Sequence, residues 1–394
     1  MKKYVLKYSK LSIIALQCML VVSTYSCNTT TAQQSRTRHP DPAPVIRKKT
    51  KIQVALLLDT SNSMDGLIDQ AKSRLWNIIN TLSTLRYQGS QPDLEIALYE
   101  YGNDGLSASE GHIRQVTPFT TDLDLLSEKL FALRTYGGLE YCGQVIQSAT
   151  RQLTWDRNDH SMKLIYIAGN EPFSQGKVHY AEAIASAVSN NIYVNTIYCG
   201  DYRSGIQEEW KTGADKGKGK YFNIDHNKEI RYVETPYDRE LEVLNERLNR
   251  TYYGYGRLGS EYKSKQVAQD RNATMMNKAV QAERTVSKSK TNYHNAQWDM
   301  VDAYKADSKF VAKVKEEELP SEFKNISRQE LERKIVALEK ERKVIQADID
   351  KVSRQRAAFI EQQSQSVGDG DDLGRAITTS ILDLAARHNY SRVQ

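Results

Sequence analysis

Apolar residues fall into two registers along this chain, and the switch between them divides it. Ile52 to Leu58 is almost unbroken in apolar residues and stops at Asp59, the pattern of a strand buried on both faces. Leu164 to Ala168 and Ile192 to Tyr198 repeat it. Between these runs apolar residues recur at helical spacing: Ile68, Ala71, Leu75, Ile78, Ile79, Leu82 and Leu85 make one stripe, and Leu125, Leu126, Leu130 and Leu133 another. Leu94 to Tyr101 and His112 to Phe119, joined by a Gly- and Ser-containing loop, predict an antiparallel pair at one edge. Strands alternating with helices imply an α/β fold with a doubly wound, mostly parallel sheet, whose ligand site lies at the carboxyl ends of its strands.

Past Tyr237 the composition shifts to Arg, Lys, Glu and Gln. Leu331, Ile335, Leu338, Ile345, Ile349, Val352 and Phe359 then follow steps of four and three once Arg342 and Arg356 are counted in the same seam. This predicts an α-helical coiled coil over about 327–365, with two basic residues at a positions that lower stability and restrict register. A helical stretch over 261–314 precedes it, so two readings stay open: a hairpin within one chain, or a coil between copies that makes a homo-oligomer. Gly368 to Gly374 lacks the ligand spacing of a calcium-binding helix–loop–helix and reads as a turn.

Composition changes the picture mainly at the N-terminus. The 394 residues carry 55 Lys plus Arg against 49 Asp plus Glu, a net charge of +6, and mean hydropathy is −0.62. A polytopic membrane protein is excluded. Lys2, Lys3, Lys7 and Lys10 precede an apolar run from Leu11 to Val22, the layout of a secretory signal over 1–26. Thr24-Tyr25-Ser26-Cys27 resembles a bacterial lipoprotein box, with Thr24 where Leu is usual, and implies a lipid on Cys27. Simple cleavage and an uncleaved anchor are the alternatives, and all three place the rest outside the cytoplasm, in a periplasm or at an outer membrane or cell surface. Residues 27–50, with Pro40, Pro42 and Pro44, read as a tether reaching up to roughly 70 Å at about 3.1 Å per residue. Without residues 1–26, which hold four Lys and no acid, the chain keeps 51 basic against 49 acidic residues. Interleaved charges of that balance argue against nucleic acid.

Asp59-Thr60-Ser61-Asn62-Ser63 sets one carboxylate and two hydroxyls at spacing two behind the first strand. Such hard oxygen donors suit Mg²⁺ or Ca²⁺. They also suit helix capping, and the two uses are compatible. The segment resembles the opening of the metal-ion-dependent adhesion site of von Willebrand factor A (VWA) domains, and the resemblance extends over 51–227. It implies a cation with an open coordination position that an acidic residue of a partner protein fills. Tyr136-Gly137-Gly138-Leu139-Glu140 is similar to the family's second metal loop, with Leu139 where Thr is expected and Glu140 as the nearest donor. Ile167 to Pro172 is similar to the third, with Gly169 in place of an Asp and Asn170 or Glu171 as substitutes. Trp210, Gly213, Ala214 and Gly219 to Asp225 resemble the closing helix and strand. On that fold Cys142 and Cys199 both come near the upper rim of the sheet, and export implies a disulfide between them. A connector over 228–256 and a helical region over 257–394 complete the organisation.

The sequence therefore predicts a non-catalytic, envelope-associated protein-binding module with a partly degenerate adhesion site. A structural or oligomerising protein with an inert head is the alternative. A phosphohydrolase of the haloacid-dehalogenase kind ranks lower, because the second Asp its acid–base chemistry needs is replaced by Ser61. No phosphate-binding Gly-rich Lys loop, nucleophile elbow or His-Glu-x-x-His helix is present.

Overall fold

A computed structural model describes residues 49–225, 232–364 and 373–392. The signal, Cys27, nearly all of the tether and most of the 368–374 turn lie outside the described residues. The strands are β1 (Lys51–Asp59), β2 (Leu85–Tyr87), β3 (Asp93–Tyr101), β4 (Ile113–Thr120), β5 (Met162–Gly169), β6 (Tyr193–Cys199), β7 (Lys218–Ile224) and β8 (Tyr390–Arg392). Six of them form one sheet in the order β4-β3-β1-β5-β6-β7. Only β4 runs antiparallel, against β3; the rest pair in parallel. The apolar runs and the antiparallel edge pair thus appear where the pattern puts them.

Helices α1 (Asp65–Ser83) and α2 (Leu123–Ala132) cover one face of the sheet, and α3 (Cys142–Gln152), α4 (Tyr180–Ser189) and α6 (Trp210–Lys216) the other; α5 (Tyr202–Gln207) lies between β6 and α6. Alternation along β1 explains the division. Ile52, Val54, Leu56 and Leu58 enter the layer under α1, while Ala55 and Leu57 enter the layer under α3. Asp59 shares the parity of Leu57, so its side chain belongs to the α3 side.

The remaining helices are α7 (Asp238–Asn249), α8 (Gly259–Met276), α9 (Lys278–Ser289), α10 (Met300–Ala306), α11 (Phe310–Lys313), α12 (Arg328–Ser364) and α13 (Leu373–Arg387). The described residues form one compact unit. Helix α9 packs on α1, α8 on α2, and α12 on α7, α9, α10 and α11. The heptad seam of α12 packs within this chain, against several short helices and not against one long partner. Leu331 and Ile335 are buried in a core with Phe310, Val311 and Phe323, while Ile345, Ile349 and Val352 join the core that contains Leu241, Leu244 and Leu248. The seam is therefore occupied inside this chain by several short helices in succession, as in the first of the two readings left open by the sequence.

Helix α13 was not foreseen. It packs on α1, β6 and β7 through Ile377, Ile381 and Leu384, and β8 then pairs with β2. In a doubly wound sheet a helix following the last strand should cover that face. Here α7 to α12 are inserted between β7 and α13, which fills that place. Among the described residues no helix is long and apolar enough to cross a membrane.

Candidate functional site

The carboxyl ends of β1, β3 and β5 meet three loops, and every expected ligand residue of the sheet domain lies there. Asp59, the last residue of β1, is fully buried. One of its oxygens, Oδ1, accepts from the Ser61 backbone N–H at 2.8 Å, which turns the chain sharply into α1. The Ser61 and Ser63 hydroxyls stand 3.4 Å apart, and Ser63 Oγ donates to Asn170 Oδ1 at 3.4 Å. Glu140, 2% exposed, reaches in from the loop before α3 to lie beside Asp59 and Ser61. Asp59, Ser61, Ser63, Glu140 and Asn170 are thus brought together. Leu139 points outward and is 47% exposed, so it adds no donor.

Two facing carboxylates out of contact with water are electrostatically incomplete. Burial, and then the adjacent Glu140, push the Asp59 carboxyl well above its usual range. Burial likewise raises Glu140, Glu171 adds to the rise, and its contacts with Asp59 and Ser61 oppose it. Asp59 Oδ2 and Glu140 Oε2 are buried with no hydrogen-bond partner. An unpaired buried charge is costly, so the pair must share a proton or hold a cation. Asp59, Glu140, the two hydroxyls and the Asn170 amide oxygen are all hard oxygen donors, which fit Mg²⁺ or Ca²⁺. The set holds two carboxylates; among the described residues no group of three or more His, Cys, Asp and Glu gathers as a metal cluster.

Three residues that the sequence did not single out shape this centre. Gly102 has φ +76°, and a Cβ there would lie 2.7 Å from Asp59 Oδ1 and 2.8 Å from Glu140 Cγ, so only glycine lets the β3 loop close over the carboxylates. Tyr101, fully buried, donates to the Ala168 carbonyl at 2.9 Å. A Cβ on Gly169 would sit 2.4 Å from Tyr101 Oη and 3.1 Å from Asp59 Oδ2. The phenol therefore fills the space beside Asp59 that a side chain at 169 would need. The third is Gln175, whose side-chain oxygen accepts from the Glu140 N–H at 2.7 Å. Only the positive-φ requirement at Gly102 leaves a sequence trace, and a lone glycine after a strand is a weak one.

The expected disulfide does not form: Cys142 and Cys199 are both free and buried. Cys199 shares the parity of Ile197 and enters the layer under α1, while Cys142 at the start of α3 enters the opposite layer. The sheet itself separates them. Burial raises both thiols well above their ordinary range, which makes them poor nucleophiles.

No protein-family model matches the sequence, and no curated protein matches it. Solved structures similar in fold cover the N-terminal half of the chain. An aerotolerance-related membrane protein from Bacteroides fragilis aligns at 17% identity over 44% of this chain and 92% of its own, with a TM-score of 0.30. The VWA domain of SpRpn10 aligns at 15% identity over 44% of this chain and 88% of its own, with a TM-score of 0.34. A mussel byssus thread matrix protein with a zinc-occupied adhesion-site motif aligns at 8% identity over 46% of this chain and 43% of its own, with a TM-score of 0.33.

Proposed function

We propose that this chain is a non-catalytic, envelope-associated protein-binding module whose sheet crest holds a divalent cation, Mg²⁺ or Ca²⁺, and through it an acidic side chain of a partner protein. The observation that carries this reading is the buried pair Asp59 and Glu140 with two oxygens lacking any donor. Asp59, Ser61, Ser63, Glu140 and Asn170 would hold the ion, which when bound supplies positive charge and an open coordination position. The chain's own part is to exclude water, through Gly102 and Tyr101, and to fix the carboxylates in place. Export by residues 1–26 and a lipid on Cys27, tethered through 28–50, would set the module at a membrane surface.

Calorimetric titration of the chain lacking residues 1–26 with Mg²⁺ and Ca²⁺ tests the reading. Saturable binding in the wild type that is lost in Asp59→Ala is expected; equal binding by both proteins sinks the cation at this place. The second reading, an inert head whose helices carry the role, is favoured by the missing donors at Leu139 and Gly169. It gains if no cation binds and the carboxylates instead keep a shared proton.

A further inference from the structure

The segment 133–141 has no regular structure, yet it must present Glu140 to Asp59. Its first half is tied down closely. Tyr136 N donates to Thr60 O at 3.0 Å, Asn62 N to Gly137 O at 2.8 Å, Gly137 N to Asn62 Oδ1 at 3.0 Å and Asp104 N to Tyr136 O at 3.0 Å. Past Gly138 the chain turns Leu139 out and Glu140 in. There the anchor is a side chain from another loop: Gln175 Oε1 accepts from the Glu140 N–H at 2.7 Å.

Gln175 has the backing to serve as an anchor. Its own N–H donates to Pro172 O at 2.9 Å, Phe173 N donates to Glu208 O at 2.9 Å, and Trp210 Nε1 donates to Glu171 O at 2.8 Å. Phe173 and Trp210 are fully buried, so the loop after β5 is a fixed wall. If the Gln175 oxygen were removed, the Glu140 amide would lose its acceptor in a water-poor place. Repulsion between the two carboxylates would then favour swinging Glu140 out to solvent, and the glycine pair before it offers the freedom to do so.

We infer that Gln175 is a positioning residue that crosses from the β5 loop to hold Glu140 over Asp59, a role that rests on the cation-binding reading above. Its consequence falls on the site more than on the fold. Outer partners of ligand residues typically change metal affinity about 10- to 100-fold when removed.

Gln175→Met keeps the length and deletes the acceptor, whereas Gln175→Glu keeps an accepting oxygen. The expected results are an Mg²⁺ or Ca²⁺ affinity about tenfold weaker in Gln175→Met and retained in Gln175→Glu, with the unfolding midpoint in chelator the same for all three proteins. Amide hydrogen exchange at Glu140, measured in chelator, should be faster in Gln175→Met alone. Unchanged exchange in Gln175→Met, or equal acceleration in both variants, overturns the assignment even if the wild type binds the cation. Selective acceleration in Gln175→Met in a protein that binds no cation keeps the positioning role and removes the cation reading instead.

Discussion

The crest of the sheet and the inserted helical layer both bury charge, and they treat it in opposite ways. At the crest Asp59 and Glu140 face each other with no cationic side chain between them. In the helical layer four buried cationic side chains each meet an opposite charge. Arg284 on α9 bonds Asp270 on α8 at 2.7 Å and pairs with Asp124 on α2 at 2.8 Å, with its guanidinium 4.5 Å from the Trp76 ring on α1. Lys288 reaches the other Asp270 oxygen at 2.8 Å and Asn245 at 2.9 Å. Arg342 on α12 contacts Asp299 at 2.7 Å, Asp302 at 3.0 Å and Thr251, and stacks 3.9 Å over Tyr252. Arg356 joins Asp238 at 2.8 Å to Glu283 at 2.9 Å. Burial alone would raise Asp270, but the neighbouring Lys288 and Arg284 charges outweigh it and hold its carboxyl below the usual range. Charge that is paired internally fixes which helix meets which; charge left unpaired calls for something from outside.

Neutralising one carboxylate in each region should therefore have opposite signs. Asp270→Asn strands Lys288 and Arg284 in a buried place, and breaking such a network costs about 3–5 kcal/mol. Urea unfolding in chelator measures it, and a loss under about 1 kcal/mol would show that the network is not needed to dock the helices. A divalent cation at one hundred times its dissociation constant should add about 2.7 kcal/mol of stability to the wild type and none to Asp59→Asn. Without the cation Asp59→Asn removes a charge that nothing compensates, so stability should be unchanged or rise by about 1 kcal/mol. A loss comparable to that of Asp270→Asn would mean that the crest is internally satisfied after all.

The same contrast explains what the sequence disclosed. A strand buried on both faces must be apolar along its length, so β1, β5 and β6 could be read directly, and Asp59 stood out because it ends such a run. Glu140 and Asn170 came only from the resemblance of their loops to the second and third metal loops of VWA domains. The partners of Arg342 and Arg356 lie far away in the sequence, at Asp299, Asp302, Asp238 and Glu283, and the heptad pattern shows only that these arginines face inward. What they meet depends on how α7 to α10 fold back. The same is true of α13, whose Ile377, Ile381 and Leu384 form an ordinary amphipathic stripe that does not announce the distant sheet it covers. The cysteines misled because nearness to one rim says nothing of which face a side chain takes, and strand parity decides that.

The smallest expected effect is at the join of the helical layer, where one lysine has no carboxylate of its own. Lys263 donates to Asn249 O at 2.7 Å and Gln266 Oε1 at 2.9 Å, both neutral. Burial, with Lys288 nearby, lowers it from its ordinary value of 10.5 to about 8. Below pH 8 both folded and unfolded chains hold this proton, and the folded state bears the full cost of the charge. Between pH 8 and 10.5 the unfolded chain binds more protons, so this group's contribution to stability rises with pH. At 1.36 kcal/mol per unit the cost is roughly 3 kcal/mol at most, and the two hydrogen bonds return about 1 kcal/mol each. Lys263→Met should accordingly be more stable than the wild type by about 1 kcal/mol at pH 7. That advantage should shrink through pH 8 to 10.5 and reverse beyond it, as only the lost hydrogen bonds remain. Thermal unfolding of the two proteins across that range reads the difference directly, and a difference independent of pH would show that the Lys263 charge is compensated within the fold.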